Sequence, residues 1–326
     1  MAGLKAIKTK IRSVEKTQTV TKAMEAVSAA KMRKAQTIAL SGRAYARAAV
    51  AVLARVSGSN VLQNHKLTRG AAPLLSSAAG HHGDAAESNG AAPLRALYIV
   101  ITSDKGLAGA INSAVLRAAN ADIQATGLSP EQVLIIAVGK KANEFFSTRG
   151  YQVAVYHPNT PDLSDTMIDS LVNEVAFRFA DGIVDVVKIV YQHFISTFEQ
   201  HATLRTIFPL SLSELERVVH DMTPKRGAFS EFEETETVSP KLYTVEPSEE
   251  EVFNVILPKL AGIFVYHALL ESQASEHSAR MVAMKSASDK AEEMEHSLTL
   301  QFNKARQAAI TREVSEITGG MEAMAA

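Results

Sequence analysis

The chain has 326 residues, 46% of them hydrophobic and 21% charged, with no cysteine and a formal net charge of −1. That length gives one large or two modest domains with enough apolar residues for a core, and the lack of cysteine excludes disulfides, thiolate metal sites and cysteine nucleophiles. No run of about 18 uninterrupted apolar residues occurs, so no transmembrane helix is predicted, and the opening "MAGLKAIKTK" lacks the apolar core of a secretory signal, which predicts a cytosolic chain.

Near-neutrality hides an asymmetry. Residues 1–56 hold twelve Lys or Arg against Glu15 and Glu25, a surplus of ten positive charges. Residues 248–326 hold seven Lys or Arg against twelve Asp or Glu, a surplus of five negative ones. Opposite signs favour the two ends lying side by side.

Residues 4–41 contain neither Gly nor Pro and predict a long helix. Its apolar positions Leu4, Ile7, Ile11 and Val14 step by three and four, and the pattern resumes at Val20, Met24 and Val27 after the polar break Thr17, Gln18, Thr19. This is a coiled-coil-like seam, imperfect in register. Residues 64–93 are rich in Gly, Ala and Ser and predict a flexible connection.

From residue 94 the period changes. "LRALYIVIT" (94–102) predicts a buried strand, "GAINSAVLRAANADI" a helix and "VLIIAV" (133–138) a second strand. A helix over about 140–149, a strand at "YQVAVY", a helix over about 164–180 and a strand at "DVVKIVYQHF" follow, and "ISTFEQHATLRTIFPL" predicts a last strand. Strands alternating with helices indicate an open α/β sheet, parallel in its first strands. Residues 211–247 are expected to form a second surface segment.

Ser248 and Glu251 after Pro247 have a capping-box pattern, so a helix starts there; Pro258 predicts a kink or restart, and Gly319-Gly320 a stop. Residues 263–318 lack Gly and Pro, a run of roughly 84 Å if helical. Met284, Ala287, Ala291, Met294, Leu298, Phe302, Ala305 and Ala309 form its expected seam. Alanine in both seams lets helices approach closely while burying little area, which suits a slender pair.

Few residues suggest catalysis. The loop "SDKGLAGAIN" (103–112) has Lys105, Gly106 and Gly109 but neither phosphate-binding glycine spacing, so it reads as a tight strand-to-helix turn. "GKK" (139–141) opens a helix, and its lysines read as solvated. His81 and His82 stand in a low-complexity stretch without further ligands, and His157, His193 and His201 have no acid that the sequence pairs with them. No G-x-S-x-G elbow occurs. The basic first helix has only Tyr45 as an aromatic, so nucleic-acid stacking lacks a platform, and its narrow apolar seam gives poor purchase on a bilayer. A basic face meeting an acidic protein surface and a plainly solvated face both remain open.

The opening "MAGLKAIKTKIRSVEKTQTVTKAMEAVSAAKMRKAQ" and the closing blocks "ASEHSARMVAMKSASDKA" (274–291) and "QFNKARQAAITREVSEITGG" (301–320) resemble the gamma-subunit family of F-type ATP synthases over nearly the whole chain. The resemblance implies a long antiparallel coiled coil of the N- and C-terminal helices plus a Rossmann-like open α/β domain. It implies these divisions: a shaft helix at 1–60, a linker or insertion at 61–93, the α/β domain at 94–247 and the second shaft helix at 248–326. It further implies a chain that catalyses nothing and needs no cofactor or metal. Its implied partners are the alpha and beta subunits, the epsilon subunit and the membrane c-ring, with no nucleic acid, at the cytoplasmic face of a bacterial inner membrane. By the same resemblance Met24, Lys31, Arg33 and Lys34 face the beta subunit, Arg280 lies on the opposing helix, and Arg306, Gln307 and Thr311 hydrogen-bond a beta-subunit loop. Lys105, Ala108 and Ala110 stand where the family commonly has Arg, Cys and Gly, so no role tied to that cysteine is expected. Residues 64–93 hold no cysteine pair and do not resemble a chloroplast redox insert. The expected alternative is a coiled-coil adaptor with an α/β head.

Overall fold

The computed structural model describes residues 2–41, 60–69, 95–160, 164–211, 246 and 248–325. The chain forms two compact units, Met1–Ala30 with Ser278–Ala326, and Lys31–His277.

The second unit holds a five-stranded sheet of β1 (Ala96–Ile101), β2 (Val133–Val138), β3 (Gln152–His157), β4 (Val186–Phe194) and β5 (Gln200–Phe208), in the order β3-β2-β1-β4-β5. β1 pairs in parallel with β2 and β4, β2 in parallel with β3, and β5 antiparallel with β4. All six residues of β1 are buried, as a continuous apolar run in a central parallel strand requires. The chain first builds outward through β2 and β3, then returns past β1 to add β4, so the switch point lies between β1 and β4.

Strand alternation divides the core in two. Leu97, Ile99 and Ile101 face a layer holding Ile168, Leu171 and Val175 of α6 (Asp165–Ala180) together with Phe253, Leu257, Leu260 and Val265 of α7 (Glu249–Ala325). Tyr98 and Val100 face Val115, Ala119 and Ile123 of α4 (Ile111–Thr126) and Ala142 and Phe146 of α5 (Lys140–Ser147).

The start of the linker expected at 61–93 instead holds two short helices, α2 (Asn60–Asn64) and α3 (Lys66–Arg69). Leu62 and Leu67 sink into the first core, and Leu210 N–H donates to the Leu67 carbonyl at 2.8 Å. Two leucines five apart in a polar stretch gave no periodic signal. Residues 70–94, His81 and His82 among them, and the surface segment 212–245 lie outside the described residues.

The first unit pairs the start of α1 (Ala2–Ser41) with the later part of α7. Gln18 Nε2 donates to Glu292 Oε2 at 3.2 Å. The unit closes at Ala30 on one helix and opens at Ser278 on the other, and residues 311–320 are exposed throughout, which is the pattern of an antiparallel pair in which α7 runs on past the start of α1. The inward positions of α1 are Leu4, Ile7, Ile11, Val14, Gln18, Thr21 and Ser28, with Met24 and Glu25 sharing one place. The seam therefore does not break at Thr17–Thr19; it runs straight through polar residues at strict heptad spacing. Thr21 satisfies its hydroxyl on the Thr17 and Gln18 carbonyls, both at 3.0 Å, so it can sit inward without an unpaired donor.

On α7 the inward row is Met284, Ser288, Ala291, Glu295, Leu298, Phe302, Ala305 and Ala309, with Ala287 partly buried beside it. Met294, read as a seam residue, is 56% exposed. Heptad spacing from Ala291 selects Glu295, one residue further on.

The restart that Pro258 could cause and the stop expected at Gly319-Gly320 do not occur. Pro258 lies inside the helix. Its missing amide and ring clash cost about 3 kcal/mol, and buried Phe253, Leu257 and Leu260 around it each contribute about 1.5–3 kcal/mol. Helix also continues through Gly319 and Gly320 to Ala325, because neither glycine adopts the left-handed conformation that ends a helix. The start behaves as expected: Ser248 Oγ accepts from Glu251 N–H at 3.3 Å.

Candidate functional site

The carboxyl end of β1, where an open α/β sheet holds ligands, is occupied by the chain's own polar groups. Ser103 N–H donates to Asn112 Oδ1 at 3.0 Å, Asn112 Nδ2 donates to Ser103 Oγ at 2.7 Å, and Ser103 Oγ donates to the Lys105 carbonyl at 2.6 Å. Asp104 Oδ1 accepts from Lys140 N–H at 2.8 Å and so places a carboxylate at the start of α5. A negative group there satisfies the helix terminus itself and repels a phosphate. Leu107 and Gly109 both have positive φ, of 63° and 61°, and complete a tight strand-to-helix turn.

The histidines also resolve. His157 is half-buried, burial holds its pKa below the ordinary value, and its carbonyl accepts from Gly139 N–H at 2.8 Å. His201 lies 3.1 Å from Glu199 on the surface. His193 Nδ1 stands 2.7 Å from Glu271 Oε2, a partner 78 residues away that no local motif could reveal. Among the described residues, no group of three or more metal-ligating side chains is placed to hold an ion.

The sites left are outward faces of helices. On α1, Lys5, Lys8, Lys10, Arg12, Lys16 and Lys22 are all exposed. Val20 and Val27, assigned to the seam by sequence, are instead 57% and 55% exposed, with half-buried Met24 between them at helical spacing. A β-branched apolar stripe on the outside of a basic helix has no folding benefit within the pair and is suited to a partner surface. Lys31, Arg33 and Lys34 are exposed on the part of α1 that belongs to the second unit.

On α7, Arg280 is buried, whereas Arg306, Gln307 and Thr311 are exposed, with the Thr311 hydroxyl donating to the Gln307 carbonyl at 3.0 Å. From the same stretch onward Ile310, Val314, Ile317, Met321 and Met324 are all more than half exposed and repeat at steps of four and three. That is a second seam with no helix of the described residues against it, and it escaped the sequence reading because it continues an otherwise ordinary pattern. Measured along the helices from the Gln18–Glu292 contact, Met24 and Arg306 are separated by about 30 Å. Met24 and Arg306 thus stand at distinct places along the pair.

One stretch of α7 is apolar and long enough by composition to cross a membrane. Burial of Leu257, Leu260, Ala261, Val265 and Leu269 against the sheet accounts for that apolarity.

Comparison with known proteins matches residues 3–324 to the family model described as ATP synthase. Among solved structures, a chain from the Euglena gracilis mitochondrial ATP synthase OSCP/F1/c-ring assembly in rotational state 3 has 19% identity and a TM-score of 0.62, covering 99% of this chain and 95% of its own. A chain from the rotor of the same enzyme, in rotational state 1, has 16% identity and a TM-score of 0.58, covering 95% and 99%. A chain from the central stalk and c-ring of the Tetrahymena thermophila mitochondrial ATP synthase has 23% identity and a TM-score of 0.55, covering 82% and 99%. At these identities the structural likeness is one of fold.

Proposed function

This chain belongs to the gamma-subunit family of the ATP synthase, and from that premise we propose that it is the rotor shaft of such an enzyme, catalysing nothing itself. The observation that carries the reading is the misplaced polarity of the first unit. Polar Gln18, Thr21 and Ser28 interrupt its inward row while apolar Val20 and Val27 face outward, and the α7 stripe from Ile310 to Met324 extends past the start of α1 with no helix of the described residues against it. A pair built only to hold itself together would exchange those polar and apolar α1 residues and would carry no apolar stripe past its end.

In this reading the outward faces turn inside a ring of alternating alpha and beta subunits. The α/β unit is fixed with the epsilon subunit to the membrane c-ring, on the cytoplasmic face of a bacterial plasma membrane. Rotation then biases which nucleotide state each catalytic beta subunit prefers, a population shift imposed mechanically. Met24, with Lys31, Arg33 and Lys34 further along α1, meets the acidic beta-subunit loop, where opposite charge aids attraction without a deep interlock. Arg306, Gln307 and Thr311 hydrogen-bond a beta-subunit loop nearer the tip, while Arg280 braces the pair from within.

The test is affinity capture of the tagged chain from detergent-solubilised membranes. Recovery of a several-fold larger complex that hydrolyses ATP, beside an isolated chain that does not, supports the shaft. Elution alone, or with unrelated proteins and no ATPase, overturns it in favour of an adaptor.

A further inference from the structure

Within the second unit, α7 buries polar side chains where a core-facing helix ordinarily carries none. His267, Glu271, Ser272, Gln273 and Ser275 are each at least nine-tenths buried. Two of them bond to β4 and a third to the segment after β3. Glu271 Oε2 lies 2.7 Å from His193 Nδ1 at the end of β4, and its other oxygen lies 3.3 Å from His267 Nδ1. Ser275 Oγ donates to the Gln192 carbonyl, also on β4, at 3.2 Å. Gln273 Nε2 donates to the Thr160 carbonyl at 2.7 Å and to Asn159 Oδ1 at 3.1 Å. Asn159 Nδ2 in turn donates to the Thr102 carbonyl at 2.8 Å, just past the end of β1.

The spacing gives these bonds a mechanical sense. At about 100° per residue, positions 271 and 275 lie about 40° apart on the helix, and 273 points to nearly the opposite side. The helix is held by β4 on one flank and by the segment after β3 on the other. The hydrophobic effect is non-directional and does not by itself fix the angle of a helix in its groove. Hydrogen bonds are directional and short-ranged. A polar atom about 5 Å from the axis moves about 2.6 Å when the helix turns by about 30°, enough to break every bond in the set.

We propose that Glu271, Gln273 and Ser275 are positioning residues that lock α7 against rotation about its own axis in the α/β unit, so that torque applied to the sheet enters the shaft helix. α7 then carries it onward, since it continues unbroken to Ala325. The proposal rests on the rotor reading and adds where load crosses from sheet to helix.

The test uses the assembled complex in inverted membrane vesicles, measuring ATP hydrolysis and ATP-driven ion uptake in parallel. For Glu271→Ala, and for Gln273→Ala with Ser275→Ala, at least a threefold fall in ions moved per ATP is expected, with hydrolysis per complex within twofold of the parent. Glu271→Gln, whose amide can still pair with both histidines, retains most of the coupling. A purely structural role would lower uptake and hydrolysis together with the amount of complex and leave their ratio unchanged; that result overturns the proposal. Loss of assembly in Gln273→Ala and Ser275→Ala taken singly also overturns it, because the groups would then hold the fold and not the load. If the parent complex itself shows no coupled uptake, the rotor reading fails instead, which separates the two claims.

Discussion

Replacing Gly139 by alanine should be among the most damaging single-atom additions to the α/β unit. Gly139 joins β2 to α5 at φ 96° and ψ 145°, a region that is essentially reserved for glycine. A Cβ there would stand 2.1 Å from the Thr102 carbonyl oxygen and 2.6 Å from its carbon, both backbone atoms of the central strand's continuation. Relief requires the strand end or the helix start to move. Either movement strains the Gly139 N–H bond to the His157 carbonyl at 2.8 Å and the Ala142 N–H bond to Thr102 Oγ1 at 2.9 Å. Backbone strain of about 1–3 kcal/mol and two buried hydrogen bonds at about 1 kcal/mol each give a loss of about 3–5 kcal/mol. With a urea m-value of about 2 kcal/mol/M, the midpoint should fall by roughly 2 M. The assay is urea unfolding of the full chain followed by far-ultraviolet circular dichroism. Gly127→Ala serves as control: that residue has φ 68°, but a Cβ on it would meet nothing within 4 Å, so only about 1–2 kcal/mol of backbone strain is expected. Equal losses in the two variants would refute the argument from the Thr102 contact.

Three further outcomes follow from named contacts. Val20→Asp with Val27→Asp should change the stability of the helical pair by less than about 1 kcal/mol while weakening coupling in the complex, whereas Ser28→Leu, at a position 3% exposed, should cost about 1–3 kcal/mol by overpacking; thermal melts distinguish them. Burial, together with Asp122 2.6 Å from its hydroxyl, pushes the Tyr98 pKa up, so its folded-state pKa exceeds the unfolded value and its contribution is complete below about pH 10 and lost above it. Unfolding free energies from urea curves at pH 9 to 11 should therefore fall more steeply in the parent than in Tyr98→Phe, by about 1.4 kcal/mol per pH unit above 10; parallel curves would contradict this. Met24→Lys should leave assembly intact but lower the ions pumped per ATP hydrolysed, and unchanged pumping would remove Met24 from the coupling surface.

The sheet was legible because its strands are apolar runs punctuated by turn residues, and their parallel order follows from the intervening helices. The last strand was visible in the alternation after Phe194, but not its antiparallel direction. The helical pair was legible as a pair but not in its register. Apolarity assigned Val20, Val27 and Met294 to the inside, whereas strict heptad geometry selected Gln18, Thr21, Ser28 and Glu295. The period was sound and the residue classes misled, because exposed Val20, Val27 and Met294 are apolar while inward Gln18, Thr21, Ser28 and Glu295 are polar. Pro258 and Gly319-Gly320 misled for another reason: local breaking tendencies of a few kcal/mol yield to packing around Pro258, and glycine ends a helix only when it turns left-handed. The Glu271–His193 and Gln273–Asn159 pairings join residues 78 and 114 apart and were beyond any local pattern.

The central claim is rotation. Because the chain has no cysteine, Lys105→Cys provides a single thiol on an exposed loop of the α/β unit for attaching a bead. With the alpha and beta subunits of the complex fixed to a surface and ATP supplied, the account predicts that the bead turns continuously in one sense. A complex that hydrolyses ATP while its bead only fluctuates about a fixed angle would contradict it.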